Sequence, residues 1–300
     1  MDISGLLNDF RKGSIKALAR CISLVENEVM GYEQLLQQLP QAKSIPIVGI
    51  TGPPGAGKSS LVNLLASKIS SRGNTAAIIA VDPSSPFNFG SLLGDRIRMA
   101  ELFQNEQIYI RSMASRGSLG GLTAKIVEVT EVVKAFGFDY LFIETVGVGQ
   151  SEVEISGLAD TTVVVLVPEA GDEVQTLKSG LMEIADIFVV NKADRDGAQN
   201  FVINLQRLVH DKPNGNWQIP VIATSATSGL GLNELLNVIE RHNKIDHTYE
   251  RKLKLLAERV FILIQNQRMK DIDKDTLEKE LKLVMNKPGF NLFKFAEEYS

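Results

Sequence analysis

One cysteine in 300 residues, Cys21, leaves no partner for an intrachain disulfide and no cysteine pair for a zinc or redox site. Histidine is nearly as scarce. His210, His242 and His247 lie on polar helical stretches, and the last two are not at i, i+4 spacing, so a shared metal is not expected and each reads as exposed. Positive charge is not in excess: 32 basic against 36 acidic residues give a net charge of −4, which argues against a nucleic-acid binder dominated by phosphate contacts. Apolar runs such as 163–167 fall far short of the roughly 20 residues that span a bilayer. The early Asp2, Asn8 and Asp9 do not resemble the basic start and apolar core of a secretory signal. No internal repeat or low-complexity linker is visible. What remains is ordinary globular usage, 44% hydrophobic and 23% charged, in a chain long enough to bury a core without staples. The expectation is a soluble, cytoplasmic protein with neither nucleic acid nor membrane as a partner, and about two domains by length alone. Its metal donors are mainly carboxylates and hydroxyls, which suit a hard cation such as magnesium.

What is present is an alternation. Short apolar runs at 45–50, 76–81, 108–111, 140–144, 161–167, 187–191 and 220–223 are separated by helical segments. Most of these runs lack polar alternation, as strands covered on both faces do. The expected fold class is therefore α/β, a mostly parallel central sheet flanked by helices, with ligands at the carboxyl ends of the strands. Residues 1–44 read as an N-terminal helical extension, with Ile15, Leu18, Ala19, Ile22 and Val25 at helical spacing and Cys21 on the same apolar face as a buried structural thiol. Residues 45–240 form the α/β domain. Residues 241–300 are a C-terminal helical extension whose stripe Leu253, Leu256, Val260 and Ile264 is either a satellite packing face or a dimer seam.

Gly52-Pro53-Pro54-Gly55-Ala56-Gly57-Lys58-Ser59 fits the G-x-x-x-x-G-K-[ST] phosphate loop, placed between an apolar run and a helix as that loop requires. This makes the expected fold a P-loop NTPase. The prolines lack N–H groups, so the cradle must use amides of Gly55, Ala56, Gly57, Lys58, Ser59 and Ser60. Lys58 is expected to bridge the β- and γ-phosphates, and the Ser59 hydroxyl to bind magnesium. Asn191-Lys192-Ala193-Asp194 follows another apolar run. A carboxylate at Asp194 can accept from N1–H and the 2-amino group of guanine, a donor pair adenine lacks. The Lys192 stem can cover the ring, and Thr224-Ser225-Ala226 resembles the loop whose backbone N–H meets guanine O6 in GTPases. Asp82, Asp95 and Glu144 are candidate magnesium carboxylates, with capping or turn formation the structural alternative for the two aspartates. Gly147 can offer its N–H to the γ-phosphate. The glutamine that commonly follows that glycine is replaced by Val148, so slow intrinsic hydrolysis, raised when a partner orders these loops, is expected.

Together these motifs, with Asp82-Pro83-Ser84-Ser85-Pro86, Gly94-Asp95, the glycines of 116–121 and Glu144-Thr145-Val146-Gly147-Val148-Gly149-Gln150-Ser151-Glu152, resemble the MeaB/ArgK family. These are methylmalonyl-CoA-mutase-associated G-proteins, related to the nickel-insertion and signal-recognition-particle GTPases. The resemblance implies a GTPase that binds GTP or GDP with Mg2+ and serves as chaperone to an adenosylcobalamin-dependent acyl-CoA mutase, gating cofactor loading and protecting or reactivating it. It implies a homodimer with the C-terminal helices as dimerisation arm. It further implies that Asp82, Asp95 and Glu144 lie near magnesium and that 168–178 is a mobile switch. The competing readings are a GTP- or ATP-dependent kinase-like phosphotransferase, matching the family's older transport-kinase label, and a nickel-insertion metallochaperone, against which the lack of Cys/His clusters counts.

Overall fold

Seven apolar runs become the seven strands of one sheet in the computed structural model. It describes all residues except Met1, Lys43, 83–101, Phe103, 115–124, 146–150, 170–179, 211–216, 246–248, Pro288 and Ser300, and leaves undescribed the side chains of Asp82, 151–153, 249–252 and Asp275. The strands are β1 (Ile47–Thr51), β2 (Ala76–Asp82), β3 (Ile108–Ala114), β4 (Tyr140–Glu144), β5 (Thr161–Leu166), β6 (Ile187–Val190) and β7 (Val221–Ala223). All pair in parallel, in the order β3-β2-β4-β1-β5-β6-β7. The chain builds leftward to β3, returns to place β4 beside β1, and then builds rightward from β5. Such a reversal opens a crevice at the carboxyl ends of the strands, here around β1.

The runs read as continuous because both faces of the sheet are covered. Along β5 and β6, Val163, Val165, Ile187 and Val189 enter one apolar cluster with Leu61, Leu65 and Ile69 of α4 (Lys58–Ser71) and Leu235 and Ile239 of the C-terminal part of the domain. The alternate residues Val164, Leu166, Phe188 and Val190 enter a second cluster with Phe201, Val202 and Leu205. This is the period-2 geometry of a strand with apolar residues on both faces.

The N-terminal helices α1 (Ile3–Arg11), α2 (Ile15–Glu26) and α3 (Tyr32–Gln37) lie in the same compact unit, Met1–Leu255, as the sheet. Asp2 and Ser14 cap α1 and α2 by accepting from Gly5 N–H and Ala17 N–H. Phe10 meets Phe136 edge to face at 5.2 Å, Glu26 pairs with Arg111 of β3, and Glu28 pairs with Lys125 at 2.6 Å. Leu18, Cys21, Ile22 and Val25 form the buried stripe, while Ile15 at its start stays exposed. Burial pushes the Cys21 thiol up to about 11.

The remaining helices are α5 (Ile126–Phe136), α6 (Ser151–Leu158), α7 (Leu181–Ile184), α8 (Ala198–His210), α9 (Leu232–Lys244), α10 (Tyr249–Arg268), α11 (Lys274–Val284) and α12 (Leu292–Glu297). Residues Leu256–Ser300 form a second unit, in which α11 ends at Val284 and α12 begins at Leu292. No helix among the described residues is long and apolar enough to cross a membrane.

One histidine departs from its sequence reading. His242 is buried, not exposed: Thr161 Oγ1 lies 2.8 Å from its Nδ1, Asp186 Oδ1 lies 3.4 Å from its Nε2, and Trp217 packs against its ring at 4.8 Å. Its sequence neighbours are polar, but the end of α9 meets the start of β5 and β6, where Thr161 and Asp186 supply partners distant in sequence. His210 is exposed, and His247 lies outside the described residues. Trp217 donates its indole N–H to Asp186 O at 2.7 Å.

Candidate nucleotide-binding site

Four motif segments leave the carboxyl ends of four parallel strands: Gly52 after β1, Glu144 at the end of β4, Asn191 after β6 and Thr224 after β7. The first turns tightly because Gly52 has φ +134, and a Cβ there would lie 2.1 Å from Val165 O. Gly57, with φ +87, precedes α4. A Cβ there would strike Asn191 Nδ2 at 2.3 Å, so the loop can approach the Asn191 segment only with glycine at this place. The N-cap of α4, Gly57, makes no side-chain hydrogen bond, the arrangement that an anion site at a helix N-terminus uses.

Lys58, 6% exposed, folds back over this loop and donates to Gly52 O at 2.8 Å and Pro53 O at 3.0 Å. A cation is thereby parked against the cradle, with the loop carbonyls standing where a more strongly charged anion can replace them. Beside it, Ser59 Oγ donates to Glu144 Oε1 at 2.6 Å. A hydroxyl and a buried carboxylate in contact are a hard-oxygen donor set, which fits magnesium. The backbone of Asp82 ends β2 at the same edge of the sheet, two strands from β1, while Asp95 and Gly147 lie outside the described residues. Among the described residues no three His, Cys, Asp or Glu side chains gather to hold a metal.

The base-side segments are tied to the loop. Asn191, 1% exposed, donates from Nδ2 to Ala56 O at 2.8 Å and accepts from Thr224 Oγ1 at 3.1 Å. Its side-chain amide thus ties the P-loop to the β7 loop. Lys192 adopts φ +58, an uncommon conformation for a residue with a Cβ, and Ala193 N–H donates to Thr224 O at 2.9 Å. These constraints leave the Asp194 carboxylate at the surface, where Ser225 Oγ donates to its Oδ1 at 2.6 Å. That hydrogen bond, with its own backbone N–H and then the Arg195 charge, lowers the Asp194 pKa, so an acceptor-only carboxylate is maintained. Ala226 follows, half-buried, beside the Ser225↔Leu230 bridge.

Two features escaped the sequence reading. Thr145 Oγ1 donates to Thr51 Oγ1 at 3.0 Å, joining the ends of β4 and β1. Arg195, directly after Asp194, forms an ion pair with Glu169, and the Arg195 hydrogen bond is the main cause of a lowered Glu169 pKa. Arg195 adjoins a motif and was findable on that ground. The threonine pair carries no local signal.

A glycine-rich loop ahead of α4, a hydroxyl–carboxylate pair beside it and a surface carboxylate held by Ser225 fit the pattern of a P-loop GTPase. Residues 18–280 match the family described as methylmalonyl Co-A mutase-associated GTPase MeaB. The chain belongs to the MeaB family. A protein of Pyrococcus horikoshii named as a GTPase is 46% identical over 249 residues, 81% of this chain and 78% of that protein. The methylmalonic aciduria type A homolog of Mus musculus, a mitochondrial protein, is 36% identical over 245 residues, 75% of this chain and 59% of that protein. The crystal structure of a LAO/AO transport system kinase matches with a TM-score of 0.72 at 25% identity, covering 99% of this chain and 96% of that one. As a MeaB-family member the chain is a GTPase, hydrolysing GTP to GDP and phosphate on a P-loop fold.

Proposed function

We propose that this chain is a magnesium-dependent GTPase chaperone for an adenosylcobalamin-dependent mutase of the methylmalonyl-CoA type. The carrying observation is the match of 18–280 to a family described as associated with that mutase. In this reading GTP binding and hydrolysis bias loops around the γ-phosphate between two states, and the mutase reads the bias as it is loaded with cofactor, protected or reactivated.

The residues divide the work. The amides of Gly55 to Ser60 hold the phosphates, and Lys58 leaves Gly52 O and Pro53 O for the β- and γ-phosphate oxygens. Ser59, Glu144, Asp82 and Asp95 hold Mg2+, which when bound neutralises charge on those oxygens. Gly147 offers its N–H to the γ-phosphate. Lys192 covers the guanine ring, Asp194 accepts from N1–H and the 2-amino group, and backbone N–H groups of Ser225 and Ala226 face O6. Asn191 keeps the base loops at a fixed distance from Ala56.

The protein acts as a cytoplasmic homodimer in this account. Leu256, Val260, Phe261 and Ile264 of α10 are each at least 44% exposed, an apolar row that a second copy covers. Light scattering after Val260→Asp tests this: a shift from dimer to monomer supports the arm, and an unchanged mass contradicts it.

The mutase assignment is tested by pull-down of purified methylmalonyl-CoA mutase on the immobilised protein loaded with GDP or with a non-hydrolysable GTP analogue. Nucleotide-dependent retention supports it, and no retention in either state contradicts it. Labelled GTP separates it from the phosphotransferase reading that the transport-kinase neighbour raises: released phosphate supports hydrolysis, and a labelled acceptor supports transfer.

A further inference from the structure

Thr51 and Thr145 stand one residue past the register pair Ile50↔Glu144, at the carboxyl ends of β1 and β4. Thr145 N–H donates to Ile50 O at 3.0 Å, and the Thr145 hydroxyl donates to Thr51 Oγ1, also at 3.0 Å. The side chains are 0% and 1% exposed, and Thr51 also sits in register with Val164 of β5. A core has no packing need for this pair. Valine has nearly the same shape, and replacing both partners of a buried hydrogen bond by apolar groups of equal shape can leave stability unchanged.

The placement of the pair is what distinguishes it. Thr51 directly precedes Gly52, whose carbonyl accepts from Lys58; Thr145 directly follows Glu144, whose carboxylate accepts from Ser59. One hydroxyl–hydroxyl bond thus joins the root of the phosphate loop to the strand end that carries the acidic group. The direct Ser59–Glu144 bond must open before a cation can enter between them. A second tie is then needed to keep the two oxygens at a useful separation, because displacements of about 1 Å can cost about a hundredfold in rate.

We propose that Thr51 and Thr145 are a positioning pair that holds Glu144 in register with the phosphate loop and so sets the magnesium-binding distance between Glu144 and Ser59. This rests on the magnesium reading of the site and extends it to residues that touch neither metal nor nucleotide.

The test is steady-state hydrolysis by the full chain, titrated separately with GTP and with Mg2+. Thr145→Val lowers kcat about tenfold, the effect of letting Glu144 shift by a fraction of an ångström from its working position. It raises the half-saturating Mg2+ concentration by a similar factor and leaves KM for GTP within about twofold. Thr145→Ser, which keeps the hydroxyl, restores both values. Thr51→Val/Thr145→Val is no slower than the single variant, since the bond is already lost, and melts at or above the wild-type temperature. Valine variants with wild-type kcat and magnesium dependence overturn the proposal, as does a loss that serine fails to restore or, in the double variant, a loss accompanied by a lowered melting temperature. A wild-type rate indifferent to Mg2+ overturns the metal reading itself and this inference with it, so the two failures are told apart by the wild-type titration.

Discussion

The Ser59 hydroxyl donates to Glu144 Oε1 at 2.6 Å, closing the gap between the first turn of α4 and the end of β4. The two groups that the sequence nominated independently for one cation are thus already in contact. Glu144→Gln keeps a hydrogen-bonding group of the same size and removes the charge. The half-saturating Mg2+ concentration for hydrolysis is expected to rise at least about tenfold, since carboxylate charge is the main attraction for a hard cation. An unchanged Mg2+ titration removes Glu144 from the metal site.

Lys58 donates to two loop carbonyls, Gly52 O and Pro53 O. Lys58→Ala is expected to weaken GTP binding about ten- to a hundredfold, the loss of charge-assisted bonds to phosphate. Titration calorimetry with GTP measures it, and circular dichroism checks that the sheet survives. Wild-type affinity in a folded Lys58→Ala protein contradicts the assigned role.

Asp194 reaches the surface with its carboxylate oriented by Ser225. Asp194→Asn turns an acceptor into a mixed donor and acceptor, which no longer complements N1–H and the 2-amino group. Selectivity for GTP over ATP is expected to fall at least about a hundredfold, and xanthosine triphosphate, with an oxygen at position 2, to gain in relative affinity. Competition against a fluorescent guanine nucleotide reads both changes. Full retention of selectivity excludes Asp194 as base reader.

The same hydrogen bond makes a pH prediction. The Ser225 hydroxyl lowers the Asp194 pKa, so the ionised, guanine-accepting form persists below the usual carboxylate range and is lost only as pH falls through that lowered value. Ser225→Ala removes the largest cause of the depression. The acid limb of GTP affinity is expected to move to higher pH in that variant, with affinity near neutral pH reduced less. An acid limb at the same pH in both proteins contradicts the coupling.

Cys21 lies on the buried stripe of α2, and burial pushes its thiol up to about 11. At pH 8 the native protein is expected to resist a thiol-specific chromogenic reagent for hours and to react with one equivalent once denatured. Rapid labelling of the folded chain contradicts the packing of α2.

Much of this was legible because it is local. The run before Gly52, the glycine-rich loop and the helix stripe Leu61, Leu65, Ile69 lie within one stretch of chain, and all seven strands showed as short runs of β-branched and aliphatic residues. The signals for Lys58, Ser59, Asn191 and Asp194 are also contiguous. The strand order is not, since it is set by crossovers. Thr51 and Thr145 are 94 residues apart, and no period or motif joins them. His242 misled because burial is decided by Thr161 and Asp186, and Asn191 gained its link to Ala56 O only when β6 was laid near β1. Asp95 and Gly147 lie outside the described residues, and their roles stand on the motif and the family resemblance.

The most direct test of the account is the rate of GTP hydrolysis by the purified chain, with and without an equimolar methylmalonyl-CoA mutase, at saturating Mg2+. Slow turnover alone is expected, because Val148 stands where a water-orienting glutamine is common, and a severalfold to hundredfold rise with the mutase as the partner orders the γ-phosphate loops. A fast rate that the mutase leaves unchanged contradicts the claim that this GTPase is a switch read by that enzyme.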